Sequence, residues 1–267
     1  MLEDRTLDEL ARELDEAERT RSPVTPCSMR HPSMTIDDAY DVQRRWNAVR
    51  RERGAIARGH KIGLTSKAMQ RGSGIDEPDY GVLFDDMFHE DGADVPIERF
   101  IVPRVECELA FVLSGELFGD RVDVTDVLAA TRYVVPAIEI IDSRVEMSDA
   151  SRGIVRGVRD TISDNGAAAG VILGGRPVLP HDVDLRWVPA LCYRNGTIEE
   201  SGVAAAVLNH PARGVAWLAR RLHRFGERLL PGHVVLAGSF TRVVPARRDD
   251  VFHVDFGPLG GISCRFA

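Results

Sequence analysis

The segment Val105-Glu-Cys-Glu-Leu-Ala-Phe-Val-Leu113 constrains this chain more than any other. Val105, Cys107, Leu109, Phe111 and Leu113 alternate with the two-residue period of a strand that buries one apolar face. Glu106 and Glu108 then share the opposite face, which Ala110 and Val112 continue with small or apolar residues. The two carboxylates therefore stand at the end of a partly buried surface, their Cβ atoms about 7 Å apart at a rise of about 3.3 Å per residue. Anions so placed repel each other in a low dielectric unless protons or a cation neutralise them.

A third carboxylate lies in Tyr133-Val-Val-Pro-Ala-Ile-Glu-Ile-Ile-Asp-Ser143, where Glu139 interrupts an apolar run that otherwise reads as a buried strand. No Lys or Arg occurs within that run, so Glu139 needs a partner from elsewhere, and an external cation answers the need. Glu106, Glu108 and Glu139, with no thiolate or imidazole among them, suit a hard, oxygen-preferring ion such as Mg²⁺ or Mn²⁺. Glu-x-Glu alone is also the pattern of solvated strand glutamates, and spacing leaves both readings open. Cys27, Cys107, Cys192 and Cys264 form no Cys-x-x-Cys pair, and the eight histidines show no His-x-x-x-His spacing, so neither zinc nor a disulfide framework is indicated.

Two amphipathic helices open the chain. Leu7, Leu10, Ala11, Leu14 and Ala17 recur at helical spacing, as do Ala39, Val42, Trp46 and Val49 after Thr35, with Asp38 placed to close a capping box. Arg21 to Met34, with Pro23, Pro26 and Pro32, reads as a linker. After Gly54 the pattern turns to short β-like runs. Asn195-Gly196 predicts a type I′ hairpin between Arg186–Tyr193 and Thr197–Val203. A helix is expected from Asn209-His-Pro211, buried along Val215, Leu218, Ala219, Leu222 and Phe225 and stopping at Pro231-Gly232. Strands are expected over His233–Phe240, Asp250–Phe256 and Ile262–Phe266. Helices and strands do not alternate regularly, which argues for an α+β fold: a helical N-terminal arm, residues 1–54, and a β-rich catalytic body, residues 55–267. Ser143–Ser163, polar and containing Gly and Arg, is long enough for a lid or interface loop.

The charge balance, 34 basic against 41 acidic residues for a net −7, argues against nucleic acid as a partner. No apolar stretch reaches the roughly 18 residues that span a bilayer, and the acidic Met1-Leu-Glu-Asp start lacks a basic signal head, so a cytoplasmic location and no membrane partner are expected. Phosphate-loop, dinucleotide and Gly-x-Ser-x-Gly patterns do not occur.

Several polar islands, each alone readable as a turn, carry a resemblance when taken in order. They are Gly59-His-Lys-Ile-Gly-Leu-Thr-Ser-Lys-Ala-Met-Gln70, Glu77-Pro-Asp-Tyr-Gly81, Pro103-Arg-Val-Glu-Cys-Glu-Leu-Ala-Phe-Val-Leu113, Pro136-Ala-Ile-Glu-Ile-Ile-Asp-Ser-Arg144, Asp160-Thr-Ile-Ser-Asp-Asn165 and Gly238-Ser-Phe-Thr-Arg242. With Val171-Ile-Leu-Gly-Gly-Arg-Pro177 and Gly202-Val-Ala-Ala-Ala-Val-Leu-Asn-His-Pro211, they resemble the 2-keto-4-pentenoate hydratase group of the fumarylacetoacetate hydrolase superfamily over nearly the whole chain. Val244-Pro-Ala-Arg247 and the ending Ile262-Ser-Cys-Arg-Phe266 point within that group to members acting on a seven-carbon dicarboxylic substrate.

The resemblance implies a mixed β-roll body and a homo-oligomer, pentameric or decameric. It also implies a Mg²⁺- or Mn²⁺-dependent hydratase of 2-hydroxy-2,4-dienoates, small-molecule 2-oxo acids. It implies Glu106, Glu108 and Glu139 as metal ligands, Lys61 and Asp79 as catalytic residues, and Ser163 and Ser239 near the substrate. Asp79 is the expected base, and Lys61 either stabilises an oxyanion, shuttles a proton or simply neutralises the glutamates. A distal carboxylate would want an arginine, for which Arg144, Arg156 and Arg159 are candidates. A decarboxylase using the same chelate, an acylpyruvate hydrolase relying on His60, and a non-catalytic assembly subunit are the competing readings.

Overall fold

The alternating segment is a ten-residue strand in the computed structural model, which describes residues 1–267 apart from the side chains of Ala68 and Ser73. In chain order the helices are α1 (Asp4–Thr20), α2 (Cys27–Arg30), α3 (Ile36–Glu52), α4 (Lys67–Ser73), α5 (Val124–Ala130), α6 (Val158–Ser163) and α7 (Ala212–His223). The strands are β1 (Ala57–Gly63), β2 (Asp79–Phe84), β3 (Phe88–His89), β4 (Asp94–Val95), β5 (Arg104–Leu113), β6 (Thr131–Ile141) and β7 (Ala168–Leu173). There follow β8 (Pro189–Arg194), β9 (Thr197–Val203), β10 (Val234–Leu236), β11 (Val244–Pro245), β12 (Val251–Asp255) and β13 (Gly261–Phe266).

They form two mixed sheets. The larger runs β2-β1-β10-β5-β6-β7-β3, with β11 added beside β5, and the smaller runs β4-β13-β12-β8-β9. Most pairings are antiparallel, but β1 joins β10, β3 joins β7 and β4 joins β13 in parallel. The fold is therefore the α+β type with curled sheets expected from the sequence, and β5 and β6 form its longest ladder, from Arg104 opposite Ile141 to Leu113 opposite Thr131.

The opening helices do not stand apart from the sheets. Leu7, Leu10 and Leu14 of α1 and Ala39, Val42 and Trp46 of α3 belong to the same apolar core as Val105, Cys107 and Leu109 of β5. Thr35 and Asp38 close the capping box of α3 reciprocally, Thr35 N–H donating to Asp38 at 2.8 Å and Asp38 N–H to Thr35 Oγ1 at 3.1 Å. Buried polar side chains then join arm to body. Gln43 Nε2 donates to the carbonyls of Tyr80 (2.8 Å) and Ile162 (3.0 Å), and Asp160 accepts from Ser28 N–H (2.8 Å) and Ser28 Oγ (2.6 Å). Each satisfies a group that burial would otherwise leave costly.

The Asn195-Gly196 turn forms as predicted, with φ of 53° and 80°, but β8 starts at Pro189 because Leu185–Trp187 is a 3₁₀ turn. The Arg21–Met34 linker holds one short helix, α2. The helix α7 starts just after Pro211 but ends at His223, earlier than the expected stop, since Gly226 already turns the chain into the left-handed region at φ 73°. The expected His233–Phe240 strand is only Val234–Leu236, and Gly238, at φ 117°, bends the rest toward β5. No helix among the described residues is long and apolar enough to cross a membrane.

Candidate active site

Register places the three glutamates together. Glu106 on β5 stands directly opposite Glu139 on β6, and Glu108 is two residues further along the same face of β5. One carboxylate oxygen from each of the three lies within 4.8 Å of the others. Glu108 and Glu139 are fully buried. Glu108 Oε2 accepts the Gly238 N–H at 2.7 Å, so the bend after β10 orients this carboxylate. A side chain at Gly238 would collide with Thr65.

Lys61 reaches the cluster from β1. β1 pairs with β10 and β10 with β5, which brings the Lys61 Nζ to 3.3 Å from Glu139 Oε1. Asp79 joins from β2, where it pairs with Gly63, and a Cβ at position 63 would collide with Asp79 Oδ1 while lying 3.4 Å from Lys61 Nζ. Glycine at 63 is what leaves room for the Asp79 carboxylate beside the lysine.

Charge is out of balance in this nest. Burial raises the Glu139 carboxyl to about 7, Lys61 drawing it back and Glu106 pushing it further up. Glu108 is raised well above the ordinary range by burial and by repulsion from Glu139 and Glu106, and burial also raises Glu106 and Asp79. Burial works against the Lys61 ammonium, yet Glu139, Glu106, Asp79 and Glu108 hold its pKa above the usual lysine value. Lys61 draws all four carboxyls back, Arg104 also draws back Glu106 and Arg156 Asp79, yet burial outweighs them. Among the described residues, Glu108 Oε1, both Glu139 oxygens and Asp79 Oδ1 are buried without a hydrogen-bond partner. Converging, orphaned carboxylate oxygens with no nitrogen or sulfur donor are a fitting donor set for a hard divalent cation.

The centre opens into two cavities that meet at Gly63, Leu64, Met69, Glu106 and Val243. One, of about 400 Å³, is lined by Lys61, Asp79, Glu106, Arg104, Arg156 and the Asn165–Ala167 side through Gly166. The other, of about 830 Å³, is lined by Thr65, Ser66, Glu200, Ser239, Thr241 and Arg242. Gly166 and Ala167 follow Asn165 in a left-handed turn, with φ of 52°, 62° and 67° from Asn165 to Ala167, held by the Asn165 side chain bonding both the N–H and C=O of Val82 at 2.8 Å.

Of the residues singled out from the sequence, Lys61, Asp79, Glu106, Glu108 and Glu139 come together. Ser239 lines the second cavity, with its Oγ donating to the Thr241 carbonyl at 3.0 Å. Ser163 does not reach either cavity: it is fully buried in α6 and its Oγ donates to the Arg159 carbonyl at 2.9 Å. The partner that Glu139 required is Lys61, a residue of the chain itself. His60 faces away from the glutamates, with its ring centroid 6.0 Å from that of His233 and 6.2 Å from that of Tyr80. Its neutral, buried imidazole pairs with no glutamate, which removes the His-Glu arrangement a hydrolase would use. Sequence reasoning missed Arg104, whose signal was its place two residues before Glu106 on the same strand face.

No protein-family model matches the sequence. A protein from Yersinia pestis CO92 assigned to the fumarylacetoacetate hydrolase family shares the fold, with 14% identity and a TM-score of 0.59 over 79% of this chain and 94% of its own. A far closer likeness is 4-oxalocrotonate decarboxylase from Pseudomonas putida G7, solved with magnesium and adipate, at 34% identity and a TM-score of 0.95 over 100% of this chain and 99% of that one. The fold is the one these two proteins share.

Two curated relatives narrow the class. The 2-oxo-hept-4-ene-1,7-dioate hydratase of Escherichia coli is 57% identical over 257 residues, 96% of each chain. The 2-keto-4-pentenoate hydratase of Paraburkholderia xenovorans (strain LB400) is 36% identical over 259 residues, 97% of this chain and 94% of its own. The chain belongs to the 2-keto-4-pentenoate hydratase family, whose hydratases are hydro-lyases.

Proposed function

We propose that the protein adds water to 2-hydroxyhepta-2,4-diene-1,7-dioate, the dienol form of 2-oxohept-4-ene-1,7-dioate, giving 4-hydroxy-2-oxoheptane-1,7-dioate in the breakdown of ring-cleaved aromatic compounds. The observation that carries this reading is the convergence of Glu106, Glu108 and Glu139 with Lys61 and Asp79 in a chain 57% identical to a hydratase of that name. Glu106, Glu108 and Glu139 would hold a divalent cation, for which we propose Mg²⁺, or Mn²⁺ in its place. When bound, it supplies Lewis-acid polarisation of the 2-oxo acid head group.

The protein's own groups manage the protons. Lys61, kept charged by the surrounding carboxylates, is a fixed positive charge beside the head group and stabilises the negative charge that develops on the 2-oxygen. Delivery of a proton to C5 moves the double bond to C3–C4, in conjugation with the 2-oxo group, and makes C4 electrophilic. Water then adds at C4 and gives up a proton, while C3 of the resulting enolate takes one up to restore the 2-oxo group. Asp79 is the group placed to carry these protons: burial raises its pKa above the usual carboxylate value, and its Oδ1 makes no hydrogen bond among the described residues. Ser239, on the wall of the adjoining cavity, is retained as a substrate contact, whereas Ser163 serves α6.

The likeness to a decarboxylase keeps a second reading in view, loss of CO₂ from a 2-oxo-3-hexenedioate, because one head-group chelate serves both reactions. A homo-oligomer, pentamer or decamer, remains our expectation for the assembly, and the cytoplasm for its location, where four free cysteines would stay reduced. The deciding experiment mixes purified protein and Mg²⁺ with freshly generated dienol, follows the loss of its conjugated absorbance, and weighs the product. A gain of one water, abolished by chelator, is the expected result. Loss of CO₂ would make the enzyme a decarboxylase, and no reaction with either this diacid or 2-hydroxypenta-2,4-dienoate would leave a non-catalytic subunit.

A further inference from the structure

A dicarboxylic substrate that offers its 2-oxo end to the glutamate centre brings a second carboxylate several carbons away, and a desolvated anion needs a fixed cation with free donors. Arg152 in the Ser143–Ser163 segment is exposed and paired with Glu146 at 2.8 Å, and the three candidates, Arg144, Arg156 and Arg159, differ sharply in what they have left to give. Arg144 is fully buried and fully engaged, with Nε donating to Asp164 Oδ1 at 2.6 Å, Nη1 to the Ala168 carbonyl at 3.1 Å and Nη2 to the Asp164 carbonyl at 2.9 Å. Arg159 points to the helical arm, its Nη1 donating to the carbonyls of Met34 (2.5 Å) and Pro32 (3.2 Å).

Arg156 lines the 400 Å³ cavity together with Lys61, Asp79 and Glu106. Its side chain is only 11% exposed, yet Nε and Nη2 are without hydrogen-bond partners among the described residues. The nearest carboxylate, Asp164, is 3.8 Å from Nη2, and Arg144 already occupies it through Nε at Oδ1 and its backbone N–H at Oδ2. The Arg156 Nη1 meets only Met147 Sδ, at 3.9 Å. Nε and Nη2 are the two donors that point the same way from a guanidinium, the edge that grips a carboxylate side-on with two parallel hydrogen bonds. A backbone hydrogen bond from Arg156 N–H to Ser148 Oγ, 3.1 Å, holds the loop that presents it. Arg104 lines the same cavity, and its Nε is also buried and unpartnered among the described residues.

We propose that Arg156 is the specificity-determining residue of this enzyme, gripping the distal carboxylate of a dicarboxylic substrate with its Nε–Nη2 edge while Arg104 supplies a second positive charge alongside. This rests on the reading of the substrate as a diacid. It explains why a largely exposed loop turns a guanidinium inward with two idle donors, an arrangement that burial alone makes unfavourable.

The test uses two inert saturated analogues, 2-oxoheptanedioate and 2-oxoheptanoate, which share the head and differ only in the tail. With Mg²⁺ present, the wild-type protein should bind the diacid about 10- to 100-fold more tightly by calorimetry, the worth of a charged, bidentate contact. Arg156→Met should erase that preference while leaving the affinity for 2-oxoheptanoate within about twofold, and an unchanged far-UV circular dichroism spectrum reports that the variant folds. Arg156→Lys, a point charge without the fork, should restore part of the preference. Equal losses for both analogues would overturn the proposal by placing Arg156 at the head or in the scaffold, and so would a wild-type protein indifferent to the tail. Because the analogues do not react, a failure of the hydratase reading shows as absent turnover of the dienol, separately from the binding ratio.

Discussion

Glu106 and Glu139 face each other across the antiparallel β5–β6 pair, two acids in a register position where like charges are ordinarily avoided. With Glu108 beside them they repel, and on the proposed reading a divalent cation would draw them together. Opposite effects of one substitution follow. Glu108→Gln keeps an oxygen for the Gly238 N–H but removes the carboxyl whose ionisation burial and its neighbours oppose, so it should raise the melting temperature in chelator and abolish most of the stabilisation that Mg²⁺ is expected to give the wild-type protein. Turnover should fall about a thousandfold, as loss of several kcal/mol of electrostatic stabilisation requires. Thermal melts with and without Mg²⁺ check the first pair of effects. A variant that melts below wild type in chelator and still responds fully to Mg²⁺ would remove Glu108 from the ligand set.

Asp79 separates chemistry from metal binding. Its Oδ1 stands beside Gly63 and Lys61 and belongs to no ligand group with the glutamates. Asp79→Asn cannot carry a proton and should lower kcat by about 10²- to 10⁴-fold, the usual worth of a general acid–base group, with Mn²⁺ affinity changed little. Parallel losses in kcat and in Mn²⁺ affinity, measured by titration, would make Asp79 a support for the metal centre instead.

Much of this site was legible because period-two alternation marks β5 directly, and because a lone acid in the apolar run of β6 announces a buried charge. The resemblance then supplied Lys61 and Asp79, which no local pattern could. Lys61 meets Glu139 only through the β1–β10–β5 pairing, and the register of residues 59–61 against 234–236 is a long-range choice made by packing. The same limit explains Ser163 and the arginines. Whether a serine on α6 faces a cavity or bonds back to the carbonyl four residues earlier depends on helix placement, as does which of three neighbouring guanidiniums is left idle. Gly238 broke the expected strand for a reason only the folded chain displays, the need to aim an N–H at Glu108.

Gly63 offers a test of positioning without touching a functional group. Its φ is ordinary, so Gly63→Ala strains no backbone, but the added methyl would collide with the Asp79 carboxylate. The carboxylate must shift by a substantial fraction of an ångström, and misplacement on that scale costs about 10- to 100-fold in rate. We expect that loss in kcat with unchanged far-UV circular dichroism and Mg²⁺ affinity. Near wild-type kcat would mean that Asp79 has a second productive position.

His60 sets a pH limit on stability independent of the chemistry. Burial, with smaller effects of His233 and Arg51, lowers its pKa to about 3, and its Nδ1 has no partner among the described residues, so the folded protein holds it neutral. The unfolded chain takes up a proton there below an ordinary histidine pKa of about 6.5. Below that pH the unfolded state therefore binds more protons than the folded one, and stability falls as pH falls, at up to about 1.4 kcal/mol per pH unit until the folded-state pKa is reached. Between pH 7.5 and 5 this one group should account for about 2 kcal/mol. His60→Gln, which cannot titrate, should flatten the pH dependence of the unfolding free energy by that amount over this range, measured by urea denaturation of wild type and variant side by side. Parallel curves would show that the imidazole becomes protonated in the folded state, through a water or a movement of His233 that gives the charge a home.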